Sequence, residues 1–324
     1  MKTVNNIHDA LFRQTMSHKD VAADFLRTYL PAGVVRHLQL DTLAIAKDTF
    51  VASDQRMHYS DLLYTVGLHG GRPAFVYFLF EHKSRPDRFV SLQLLRYMLE
   101  IWELHRRQHK AGPSIPLIIP IVVYHGKKRR EPVRISDLMG LPDPELGRYV
   151  PDFELAFYDF SPESDEEIKG NIILRLVLSC FRAKNNPTVV RHVADIFGIL
   201  SELDDSETSL RWFEVIAGYV LQTMDIDRDV MHNIAQEKLE SSQEETIMTL
   251  AERLHREGKL EGRLEGEIHG RNAVLRRQLA KRFGQDILDI RNQERLRSAT
   301  AEQLDLWAER ILDAKTIEDV FRDS

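Results

Sequence analysis

One cysteine stands in 324 residues, Cys180, so no internal disulfide can form. The fold must rest on burial, as expected in a reducing cytosol. Cys180 lies in the apolar run IILRLVLSCF, the setting of a packed core thiol rather than a nucleophile. Long apolar runs are also missing: IPLIIPIVVY, at 115–124, is too short for a membrane span and carries Pro116 and Pro120. The opening MKTVNNIHDALFRQ lacks the apolar core of a signal peptide. Together these absences predict a cytoplasmic protein without a membrane partner. Positive charge is not in excess either. A net charge of −6 gives no global attraction to nucleic acid, while leaving room for a local basic surface. There is no P-loop, no G-x-S-x-G elbow and no cysteine/histidine zinc spacing, which leaves the P-loop triphosphatase, serine-hydrolase and zinc-enzyme classes unsupported.

What is present is ordinary globular material, 43% hydrophobic and 29% charged, enough for one main domain and something smaller. Between 83 and 134 the basic residues gather: Lys83, Arg85, Arg88, Arg96, Arg106, Arg107, Lys110, the run KKRR at 127–130, and Arg134. Such a set is either solvated surface charge or a surface for phosphates.

Residues 8–30 carry helical spacing in Leu11, Phe12, Met16, Phe25 and Leu26, predicting two short helices broken near Ser17 and stopped by Pro31. Strand-like patterns follow at 43–51, 56–66 and 74–83, then a long amphipathic helix at 87–110 with Val90, Leu94, Tyr97, Met98, Ile101 and Leu104 on one side. Further strands are expected at 115–124 and 153–160, and helices thereafter. The order predicts an α/β fold, a mixed sheet flanked by helices, with an all-α C-terminal extension. In the tail, Gly258, Gly262, Gly266 and Gly270 recur every fourth residue with Leu260, Leu264 and Ile268 alongside. At about 100° per residue each repeat advances about 40°, so glycines and leucines form slowly winding stripes. The segment is either a linker helix or a surface for a homo-oligomer. The expected division is 1–205 as the main domain, 206–256 as a helical extension, 257–273 as the glycine-repeat helix and 274–324 as a small helical domain.

The stretch YFLFEHKS, 77–84, runs an apolar strand into charge, which is costly to bury unless it is paired or bound to metal. Gly70 and Gly71 in GLHGGRP suit a hairpin turn. With the turn near 71, facing positions sum to about 142, which sets Asp61 opposite Glu81, with Lys83 on the same side of the strand. Two opposed carboxylates repel, and a hard divalent cation such as Mg2+ would resolve this. A slipped register or a bulge would instead leave a Glu–Lys surface pair. Gln93 and Tyr97, four apart on the next helix, share one face.

The series Asp61, Glu81-x-Lys83, Gln93-xxx-Tyr97 resembles the PD-(D/E)XK nuclease site with the Q-xxx-Y motif of its RecB-like branch. More closely, HDALFRQTMS, FLFEHKS, LQLLRYMLEIW and PLIIPIVVYHG resemble the Rpn recombination-promoting nucleases, the YhgA-like transposase family. The resemblance covers about 5–205, and the tail from about 274 resembles a small domain appended to many such proteins. Ser60 stands where the motif has a loosely kept proline. The resemblance implies a restriction-endonuclease-like core and an endonuclease that hydrolyses DNA and promotes recombination. It implies a divalent metal, Mg2+, Mn2+ or Ca2+, held by Asp61, Glu81 and the main-chain carbonyl of His82. Lys83 would act on the attacking water and the phosphate, and Gln93 and Tyr97 would brace the site. Asp9 matches an acid near the family's active site and is the further metal ligand that the resemblance suggests, with His8 beside it as a phosphate contact or a packing residue. Three rivals stay open: a DNA-binding or recombination scaffold with vestigial cleavage, a different metal-dependent phosphodiesterase acting on RNA or nucleotides, and an acidic-triad transposase, which the E-x-K signature fits poorly.

Overall fold

The structure, a computed structural model, describes residues 5–46, 62–70, 75–83, 87–108, 114–184, 186–284 and 289–322, with 75–83 described by backbone alone. Two compact units divide at 250/251. The first opens with α1 (Asn5–Met16), α2 (Lys19–Tyr29) and the short α3 (Ala32–Val35). The break near Ser17 and the stop before Pro31 fall where the sequence expects them. A five-stranded mixed sheet follows in the order β1-β2-β3-β4-β5. Its strands are β1 (Leu38–Ile45), β2 (Leu62–Leu68), β3 (Phe75–Lys83), β4 (Leu117–Tyr124) and β5 (Ala156–Asp159). The first three strands run antiparallel, and β3, β4 and β5 run parallel. The crossover from β3 to β4 is α4 (Val90–Gln108), because parallel neighbours cannot be joined by a tight turn. The architecture is thus mixed α/β.

Two strands differ from expectation. β1 begins at Leu38 rather than 43, with an irregularity between Gln39 and Ala44 that shifts its register on β2. Gln39, Asp41 and Thr42 interrupt the alternation in this irregular stretch, which hides the strand from pattern reading. β5 is four residues long, and the expected start at 153–155 packs beside the sheet without joining the ladder. The expected segment from 47 to 61 lies outside the described residues.

Alternate positions on a strand face opposite sides, and here the sides are covered by different elements. On one side, the Tyr64 hydroxyl donates to the Met16 carbonyl of α1, and the Tyr158 hydroxyl donates to the Tyr29 carbonyl of α2 at 2.7 Å. α6 (Ile172–Ala183) packs there too, with the Phe181 ring 6.4 Å from Phe12. It starts cleanly because the Asn171 side chain accepts Leu174 N–H at 2.9 Å. On the other side, α4 buries Val90, Leu94 and Tyr97 against Val122 and Tyr124, and Met98 and Ile101 against Leu63 and Ile118.

Between β4 and β5 lie α5 (Ile135–Met139) and a 3-10 turn (Pro144–Tyr149). Then come α7 (Val189–Leu200), α8 (Glu207–Thr223), α9 (Arg228–Lys238) and α10 (Ser241–Phe283). The second unit holds most of α10 with α11 (Ile290–Ser298), α12 (Ala301–Arg310) and α13 (Ile317–Val320). Leu275, Leu279, Leu296, Leu304 and Val320 close its core around Trp307 and Phe321, whose rings meet edge to face at 4.7 Å. The glycine repeat is continuous helix within α10. A Cβ at Gly258, Gly262, Gly266 or Gly270 would meet open space, and Leu260 and Leu264 are exposed.

Candidate active site

The β2–β3 hairpin turns through Gly70 at φ +117°, a conformation glycine adopts without steric cost. Its paired residues run from Gly67↔Phe75 to Leu62↔Phe80, every pair summing to 142, the register expected from the turn. Asp61, the next residue, lies outside the described residues, and of Glu81, His82 and Lys83 the backbone alone is described. On the far side, Glu81 pairs with Val122, His82 with Val123 and Lys83 with Tyr124. Val122 and Tyr124 are β4 residues that the first half of α4 covers. The strand positions of Glu81 and Lys83 therefore align with the side of the sheet under α4.

On α4, the Gln93 side-chain amide donates to the Tyr97 hydroxyl at 2.9 Å. Tyr97 is buried in the cluster with Val122 and Tyr124 while Gln93 is half-buried. The two residues thus act as a joined pair over β4, with polar atoms held inside an apolar contact, where hydrogen bonding offsets desolvation.

Sequence reasoning missed the corner at the end of β4. The Tyr124 ring folds back across Gly126, where a Cβ would collide with the ring, and its hydroxyl donates to the Lys128 carbonyl at 3.0 Å. Burial raises the Tyr124 pKa, and the Arg130 side chain opposes that shift. The ring stacks on Phe157 of β5 at 5.8 Å. At the end of β5, Asp159 accepts Arg130 N–H at 3.0 Å and Ser161 N–H at 2.7 Å, anchoring the basic loop to the sheet. The signal available in the sequence is Gly126 itself, two residues past the end of a buried strand.

A hollow of about 100 Å3 opens over this corner, between the start of α4 and residues 130–133. A second, of about 270 Å3, lies beyond Pro132 and Val133 toward residues 152–155.

Of the basic residues singled out, Arg96 pairs with Glu100 at 2.9 Å, Arg107 with Glu103 at 3.9 Å and Arg129 with Asp165 at 2.5 Å. Arg88, Lys127, Lys128, Arg130 and Arg134 are exposed around the hollow and its loop, and Arg106 is exposed near the end of α4; Arg85 and Lys110 lie outside the described residues. Asp9 and His8 sit on α1, the helix of the opposite side. His8 is fully buried: its Nε2 is hydrogen-bonded with Lys184 and its Nδ1 with the Tyr219 hydroxyl at 2.7 Å. Packing explains it. Cys180 is buried and its thiol pKa is pushed up by burial, as expected for an inert core thiol. Among the described residues no three His, Cys, Asp or Glu side chains converge as metal ligands, and no helix is long and apolar enough to cross a membrane.

The family described as "Putative transposase, YhgA-like" matches residues 6–211. The chain is 29% identical over 258 residues to recombination-promoting nuclease RpnA of Escherichia coli (strain K12), covering 78% of this chain and 84% of that protein. It is 28% identical over 271 residues to recombination-promoting nuclease RpnD of Escherichia coli O157:H7, covering 78% and 95%. A third relative, 28% identical over 261 residues and covering 79% and 84%, is named an inactive recombination-promoting nuclease-like protein, RpnE of Escherichia coli (strain K12). No solved structure matches significantly.

Proposed function

Because the chain belongs to the YhgA-like transposase family, we propose that it is a metal-dependent endonuclease. It would hydrolyse DNA phosphodiester bonds and promote recombination on a PD-(D/E)XK core. The observation that carries this reading is the strand register. The hairpin pairs sum to 142 as far as Leu62↔Phe80, and Glu81 and Lys83 pair with the β4 residues beneath the Gln93–Tyr97 pair. A continued register would bring Asp61 opposite Glu81.

The donor set fits a hard cation: two carboxylates and a main-chain carbonyl, all oxygen, suit Mg2+ rather than a thiolate- or imidazole-seeking metal. Asp61, Glu81 and the His82 carbonyl would hold it, and such a cation lowers the pKa of water and neutralises phosphoryl charge. Lys83 would orient the attacking water and stabilise charge developing on the phosphate. Gln93 and Tyr97 would hold the covering helix in place. Asp9, the further ligand that the resemblance suggests, would have to reach the metal from α1. The exposed Lys127, Lys128, Arg130 and Arg134 would take backbone phosphates, so binding would weaken as salt rises.

The test is incubation of the purified full chain with supercoiled and linear DNA, with and without Mg2+, Mn2+ or Ca2+, beside Glu81→Ala. Metal-dependent cleavage lost in the variant supports the reading, whereas equal cleavage by both removes it. A scaffold without turnover is the second reading, favoured by the naming of one relative as inactive. DNA binding without cleavage by the wild type would support it.

The exposed Leu260 and Leu264 beside open glycines make 257–273 the segment through which copies of the chain would associate. Sedimentation of a chain ending near residue 250 should then give a smaller species. An unchanged oligomer size would discard the idea.

A further inference from the structure

The hollow over the β4 corner has a composition that phosphate chemistry alone does not explain. Its floor is Val122, Tyr124 and Phe157, with the two rings inclined by 27°. Its walls are Val90 of α4 and Pro132 and Val133 of the returning loop. Both signs of charge stand at its rim, Arg88 and Arg130 with Asp87 and Glu131. A phosphate would meet the two arginines, but also two carboxylates and an apolar floor. A flat, uncharged ring with donors and acceptors along one edge would meet a complementary partner for each part: aromatic and aliphatic faces below, guanidinium donors and carboxylate acceptors at the border.

Nucleobases have that chemistry. Their faces stack on aromatic side chains regardless of sequence, and their edges carry donors and acceptors together. The volume, about 100 Å3, is several times the roughly 10–15 Å3 that one water needs on the same measure, so the hollow takes a group of several atoms rather than a single solvent molecule. Position matters as much as composition. Val122 and Tyr124 are the register partners of Glu81 and Lys83, and adjacent strands lie about 4.8 Å apart. The hollow is therefore one strand away from the positions proposed to act on the phosphate.

We propose that this hollow receives a single unpaired nucleobase of the strand being cleaved. The inference rests on the nuclease reading, and it adds a substrate class: DNA with unpaired bases. In a duplex, base edges are paired and faces stacked, so a base reaches such a pocket only from single-stranded or locally opened DNA.

The test is metal-free equilibrium binding, in EDTA, of the full-length protein to a fluorescent single-stranded oligonucleotide and to the same backbone carrying abasic sites. Wild-type protein should bind the strand with bases about tenfold more tightly, the scale of one stacked base. Val133→Trp, which fills the hollow, and Arg88→Ala, an exposed change at its rim, should each lose most of that advantage. Equal wild-type affinity for both strands overturns the proposal. So does an advantage kept in Arg88→Ala together with a folded Val133→Trp. Since no cleavage is involved, this failure is distinct from failure of the nuclease reading, which shows as absence of metal-dependent cleavage of plasmid DNA.

Discussion

On one side of the sheet, Tyr64 and Tyr158 extend their hydroxyls into the backbone of α1 and α2, and Phe12, Phe25 and Phe160 are fully enclosed. On the other, α4 lies over Val122 and Tyr124, and a hollow opens at their ends. The difference separates two requirements on one sheet. The first side gains stability by enclosing aromatic rings and satisfying their polar tips. The second leaves a hollow at the ends of the parallel strands, the place where open α/β sheets hold their binding crevices.

The contrast can be broken from the enclosed side. Phe12→Ala should cost about 3–5 kcal/mol, the range for emptying a fully buried aromatic site. Urea unfolding of the full chain would measure it, and a loss below about 1 kcal/mol would mean that the side adapts far more readily than a packed core does. From the other side, Gly126→Ala drives a Cβ into the Tyr124 ring and should cost about 1–3 kcal/mol, as overpacking does. Its effect on cleavage should exceed its effect on stability, because the displaced ring is the floor of the hollow. A variant equally active and less stable would show that the corner is structural only. The smallest effect is alkaline. Tyr29 is pushed up to about 12, mainly by burial, while an unfolded tyrosine ionises near pH 10. The folded state thus holds the proton longer, and the associated stability is present below pH 10 and lost as pH rises from there toward 12. Tyr29→Phe should flatten that decline in a melting-temperature profile.

Much of the fold was legible because local signals agreed with one another. Ser17 and Pro31 bounded the first helices, the spacing from Val90 to Ile101 marked α4's buried side, and Gly70 set a hairpin whose register followed from arithmetic. β1 starts earlier than its pattern predicts because Gln39, Asp41 and Thr42 obscure an irregular strand, and β5 is shorter than predicted because Phe153 and Leu155 alternate like strand residues while packing outside the ladder. The Gln93–Tyr97 pair was legible from four-residue spacing, whereas the bond joining them was not. The lining of the hollow has no local signature, since Asp87, Val122, Arg130 and Phe157 are brought together from four places in the chain. Asp61, Glu81, His82, Lys83 and Asp9 are legible as candidate site residues through motif order alone.

The outer strands carry one more consequence. β1 is irregular and β5 has four residues, and a sheet edge recruits another chain through a long, regular row of open backbone groups. Neither described edge offers one. Crowding at high expression should thus leave the sheet a poor template for strand-to-strand aggregation, even though its interior is among the most apolar parts of the chain.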